Sequence, residues 1–68
     1  MLTVKVGSAP GTEFIDVFRE MQEFAFKNNV IALQKVNGIQ VFVFPDSNPA
    51  RVLSNYWRAV SLNRKVVS

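Results

Sequence analysis

Cysteine and histidine are both absent from this 68-residue chain. Without cysteine no disulfide can brace the fold. Without either residue, the usual zinc sites and the Ser-His-Asp and Cys-His catalytic sets cannot be assembled. Acidic residues are few, five against eight Lys and Arg, and Gly and Pro number three each. No apolar run approaches the roughly 18 residues that a membrane span requires, so no membrane partner is expected. The opening Met1-Leu2-Thr3-Val4-Lys5 lacks the layout of a signal peptide, and a cytoplasmic location is expected.

Apolar residues, by contrast, are plentiful. They make up 49% of the chain and include six Phe and one Trp. The length predicts a single α+β domain over residues 1–68. A domain this small buries only about 60% of its unfolded surface, so its stability margin is thin. With disulfides and zinc excluded, oligomerisation is the support that remains, and a homo-oligomer is expected. The net charge of +3 is unevenly spread. Glu13, Asp16, Glu20 and Glu23 against Arg19 and Lys27 leave the first helical segment at −2, and the rest of the chain carries +5. Such a basic surface suits phosphates or an acidic protein.

Leu2 to Val6 alternate apolar and polar, the period of a half-buried strand. Gly7-Ser8-Ala9-Pro10-Gly11 reads as a loop. Thr12 is the expected N-cap of a helix running to about Lys27, with Phe14, Val17, Phe18, Met21, Phe24 and Ala25 on one face. Asn28-Asn29 ends it, since Asn accepts the left-handed conformation of a helix terminus. Asn37-Gly38 between two apolar runs is the strongest short hairpin signal, because a type I′ turn needs φ > 0 at both central residues. Asn48 then caps a second helix, with Pro49 at its first position and an apolar face of Pro49, Val52, Leu53, Tyr56 and Val60. Lys65-Val66-Val67 suggests a short last strand or a frayed tail. The resulting class is a two-layer β-α-β-β-α(-β) sandwich in ferredoxin-like order. Two helices are expected on one face of a three- or four-stranded sheet, with β3 between β1 and β2 because β3 is apolar on both sides.

The two-residue turn fixes the hairpin register, and with it the faces. One face carries Ile31, Leu33, Phe42 and Phe44, with Lys35 and Gln40 near the turn. The other carries Val30, Ala32, Val36, Ile39, Val41 and Val43, with Gln34 as its polar member. Two helices cover only one of them. The larger Phe face is expected to meet the helices. The face formed by Val30, Ala32, Gln34, Val36, Ile39, Val41 and Val43 is then the candidate interface, since monomers rarely expose so large an apolar patch.

No catalytic, cofactor-binding or metal-ligating residues are assigned. The Gly7–Gly11 loop lacks the phosphate-binding glycine patterns. The acidic stripe of the first helix reads as a solvated face, because Ca²⁺ wants six to eight oxygens from a wrapped loop. Arg51, Arg58 and Lys65 recur every seven residues, with Arg64 close by. If the helix continues that far they form a basic ridge, and Arg51, Arg58, Arg64 and Lys65 are the candidate phosphate contacts.

The element order resembles that of RNA-recognition motifs, and Asn37–Phe44 matches their third-strand pattern at Gly38 and Phe44. The positions that would stack on bases hold Ile39, Val41 and, in the first strand, Thr3, so the stacking chemistry is missing. The expectation is a non-enzymatic interaction module that self-associates through its open sheet face. The alternative is a nucleic-acid-binding domain using the basic second helix or, should the sheet be inverted, an exposed Phe face.

Overall fold

A computed structural model describes all of residues 1–68. The order is β1 (Thr3–Lys5), α1 (Phe14–Asn28), β2 (Ile31–Val36), β3 (Ile39–Val43), α2 (Pro49–Ser61) and β4 (Val66–Val67). The expected two-layer α+β arrangement is what the chain adopts: two helices against a four-stranded mixed sheet. Lys65-Val66-Val67 does supply a last strand, of two residues.

The turns follow from their residues. Asn37 and Gly38 take φ of 49° and 81°, both left-handed, and Val36 pairs with Ile39 across them. Pro10-Gly11 makes a second tight turn, with Gly11 at φ 83° and the Thr12 N–H donating to the Ala9 carbonyl. Pro followed by a left-handed Gly is the type II pattern. The Thr12 hydroxyl also donates to the Ala9 carbonyl at 2.7 Å, so it is spent on this turn and does not cap α1. Glu13 occupies the cap position instead, without a side-chain bond. Asn48 caps α2 as expected, its side chain accepting from the Ala50 and Arg51 N–H groups.

Both helices stop in the same way. Asn29 and Asn63 are left-handed, and the next residue's N–H reaches back five residues, from Val30 to Ala25 and from Arg64 to Ala59. This is the Schellman termination. It turns the chain out of α1 into β2 and out of α2 towards β4.

Strand placement differs from expectation. The sheet order is β1-β2-β3-β4, with β1 parallel to β2, β2 antiparallel to β3 and β3 parallel to β4. β3 is an inner strand, but its neighbours are β2 and β4. The hairpin occupies the centre, and β1 lies on the outer edge of β2, with the α1 crossover joining these two neighbours. The chain order shared with RNA-recognition motifs therefore does not extend to strand neighbours. β1 and β2 run one way and β3 and β4 the other, with both helices on one side. The two crossovers thus wind in opposite senses, and one is left-handed, a hand found in about 2% of such connections.

The helices cover the Val/Ile side, not the Phe side. Val30, Ala32, Val36, Ile39, Val41 and Val43 are all buried, with Ala32, Val41 and Val43 at 0% exposure. All but Val30 cluster with Val17, Phe18, Met21 and Ala25 of α1 and Val52, Tyr56 and Ala59 of α2. The reason is volume. The helices bring the bulky Phe18, Met21 and Tyr56, and a packed layer alternates large with small across facing positions. Small β-branched residues fit beneath them; a facing row of Phe and Leu would overpack. Gln34, the polar member of this side, accepts from the Ser8 hydroxyl of the β1–α1 loop at 3.2 Å.

Four aromatic rings lock the helices together: Phe14 to Tyr56 at 5.2 Å, Phe14 to Trp57 at 5.3 Å, Phe18 to Tyr56 at 5.7 Å and Tyr56 to Trp57 at 5.2 Å. Tyr56 is buried, and its hydroxyl accepts from the Asn37 side-chain amide at 3.0 Å. The turn residue thus satisfies the one polar atom of the central core aromatic.

Asn37→Gly keeps the turn but leaves that hydroxyl without its partner, at an expected cost of about 1–3 kcal/mol. Asn37→Ala should cost more, because Ala is also strained at positive φ. In a Tyr56→Phe background the cost of Asn37→Gly should largely vanish. Urea unfolding of the four-member cycle measures the coupling; additive losses would refute it.

Candidate functional site

The open side of the sheet is a grid set by register. Thr3 pairs with Ile31 and Lys5 with Leu33, while Leu33 pairs with Phe42, Lys35 with Gln40, and Gln40 with Val66. Paired residues share a face, so one row runs Lys5, Leu33, Phe42 and another runs Lys35, Gln40, Val66. Phe44 follows β3 and opens the turn to Ser47; carrying the strand period one residue past Val43 puts it on the same side, next to Thr3 and Ile31. No element of the chain covers this surface. Ile31, Leu33 and Phe42 are half-buried by their neighbours, Phe44 is 37% exposed, and Lys5, Lys35, Gln40 and Val66 are exposed. The three rows hold two aromatic rings and two cations, and no acidic side chain.

The candidate interface of Val30, Ala32, Gln34, Val36, Ile39, Val41 and Val43 is corrected by this arrangement. Ala32, Val36, Ile39, Val41 and Val43 form the floor of the core, Val30 is buried at its margin, and the half-buried Gln34 is engaged by Ser8. The sheet does leave one apolar face open, but it is the Phe-bearing one. β1 carried the signal that distinguishes them. Its polar Thr3 and Lys5 fall beside Ile31 and Leu33, while its apolar Val4 falls beside Ala32. Once β1 lies parallel to β2, its alternation marks the Phe side as the outer one.

The basic residues are exposed, but they do not form one helical ridge. α2 ends at Ser61, and the left-handed Asn63 diverts the chain, so Lys65 lies on the approach to β4. Arg51 lines a small hollow of ≈ 180 Å³ together with Asp46 and Asn48. Arg58 and Arg64 share another, of ≈ 250 Å³, whose wall includes Val66. Arg64 and Lys65 also border a third, of ≈ 230 Å³, beside Asn37 and Trp57. None of the four cations is paired; the one salt bridge of the chain joins Arg19 to Asp16 at 2.8 Å. The acidic residues of α1 do not converge into a metal-binding group.

Two exposed aromatics lie away from the sheet. Phe26 on α1 is 70% exposed, and Trp57 is 49% exposed at the mouth of an apolar groove between the start of α1 and α2. No helix is long and apolar enough to cross a membrane. Compared with known proteins, the chain matches no family model, no curated protein and no solved structure.

The two faces call for opposite responses to charge. Val41→Glu puts a carboxylate where no surface is accessible, at about 3–5 kcal/mol, against a total stability of roughly 3–10 kcal/mol for a chain this long. It should remove a large part of the stability margin, read as a sharp fall in the urea midpoint by circular dichroism. Phe42→Glu, one residue away on the open side, should stay folded. A Val41→Glu variant as stable as Phe42→Glu would contradict the face assignment.

Proposed function

We propose that this protein is a small non-enzymatic binding module whose working surface is the open sheet face, and that its ligand is single-stranded nucleic acid. The observation that carries this reading is the placement of Phe42 in the open rows with Lys5 and Lys35, with the exposed Phe44 directly after β3 and no carboxylate in those rows. Bases stack on aromatic rings whatever their sequence, and cations follow the backbone. An acidic protein would match the charge, but it would leave the rings unused. A cytoplasmic setting accords with this role. The lack of His and Cys, and of any converging acidic group, supports a binding role over catalysis.

A second reading is favoured by the contiguity of Ile31, Leu33 and Phe42: two copies could join face to face. Size and charge weigh against it as the main role. Four strands about 4.8 Å apart and three rows about 6.7 Å apart span roughly 400 Å², half of the roughly 800 Å² per partner that stable interfaces bury. Pairing two such faces also gathers four Lys with no acid to meet them. Self-association through this face is therefore weak and competes with ligand.

Fluorescence anisotropy of a labelled oligothymidylate tests the proposal. Binding should weaken steeply with salt. Phe42→Ala should reduce affinity roughly five- to a hundred-fold, as a loss of about 1–3 kcal/mol per stacked base implies. Light scattering across protein concentrations should give a monomer that dimerises only when concentrated. A stable dimer that Phe42→Glu dissociates, with no oligonucleotide binding, would overturn this reading in favour of self-association.

A further inference from the structure

The basic residues and the open face meet at one place, the β4 edge. Val66 stands in the outer row with Gln40 and Lys35, and it also lines the hollow that holds Arg58 and Arg64. Val66 therefore belongs to both, and the open face and the hollow adjoin at β4. Three local features build it. The left-handed Asn63 swings Arg64 back over the end of α2, with its N–H bonded to the Ala59 carbonyl at 2.8 Å. The Lys65 carbonyl accepts from the Gln40 N–H at 2.8 Å and draws the segment onto β3. Asn55, one turn before Arg58 on α2, donates to the Ser68 carbonyl at 3.1 Å and holds the far side of β4.

We propose that Arg58 and Arg64 bind backbone phosphates of the same single strand whose bases lie on Phe42 and Phe44, so that the strand leaves the sheet across β4. This rests on the binding reading above and selects two of the four cations. Neither guanidinium is ion-paired, and no acidic side chain lines their hollow, whose remaining wall is Asn55, Ala59, Val66, Val67 and Ser68. Arg51, though unpaired, shares its hollow with the carboxylate of Asp46, which repels phosphate. A guanidinium presents a planar fork of donors that matches phosphate oxygens, and an uncovered pair of them favours a chain of phosphates over an aliphatic partner.

The salt dependence of affinity separates the contacts. Each phosphate contact on a single strand contributes about 0.7 to the slope of log affinity against log salt. Anisotropy titrations with labelled oligothymidylate over a series of KCl concentrations would compare four forms. Arg58→Gln/Arg64→Gln should lower the slope by about 1.4 relative to the parent, with the urea midpoint retained because both side chains are exposed. Arg51→Gln should leave the slope nearly unchanged. Phe42→Ala should lose affinity at every salt concentration with its slope preserved. A double variant with the parental slope, or equal changes from Arg51→Gln, would overturn the phosphate track while Phe42→Ala still reports on the platform. A parent protein that binds no oligonucleotide would overturn both.

Discussion

The packing of small sheet residues beneath large helical ones is the constraint on which the molecule depends. Val41 and Val43 have no accessible surface, and Phe18, Met21 and Tyr56 above them are equally enclosed. These 68 residues build one such layer, and most of their hydrophobic stabilisation sits in it. The hairpin must present its Val/Ile side to the helices, and a one-residue slip would present Leu33, Lys35 and Phe42 instead. Asn37 guards against that slip twice. It takes the left-handed turn, and its amide meets the Tyr56 hydroxyl, so turn, register and helix position agree at one residue.

The elements were legible because each rests on local chemistry. Asn37-Gly38, Asn48-Pro49 and Asn28-Asn29 mark the hairpin, the start of α2 and the end of α1 by backbone preferences that need no tertiary information. The choice of face was not local. Both sides of the hairpin are apolar, so the deciding quantity was the volume that Phe18, Met21 and Tyr56 bring from above, together with the pairing partner of β1. Placing β3 between β1 and β2 failed for the same reason: an apolar strand reveals that it is flanked, not by which neighbour. The basic ridge extrapolated a seven-residue spacing through Asn63, a residue whose left-handed backbone ends the helix. The exposed cations themselves were readable; their grouping was not, because it depends on where the chain turns after Leu62.

An open apolar face has a cost for a domain with so thin a margin. Phe42 and Leu33 contribute little to the core that they would not contribute as polar residues, and exposed apolar strands invite association. The rest of the sheet limits that hazard. Its outer strands hold three and two residues, too short to template long pairing, and Lys5 and Lys35 border the rings with charge. These devices discourage a second copy from docking edge to edge while they leave the face itself uncovered. Aromatic rings flanked by like charge are poorly suited to meeting themselves, which makes the charge pattern more informative than the apolar area.

The end of α2 links architecture to this chemistry. A helix running on past Leu62 would carry Lys65 up its back, away from the sheet, and β3 would have a bare edge. The Asn63 reversal pairs β4 with β3, closes the core with Val67 and sets Val66 in the outer row. The same bend gathers Arg64 with Arg58 rather than spacing the cations along a rod. One backbone conformation thus completes the hydrophobic layer and brings the positive charge to the margin of the Phe face, so neither arrangement can be altered at Asn63 without disturbing the other.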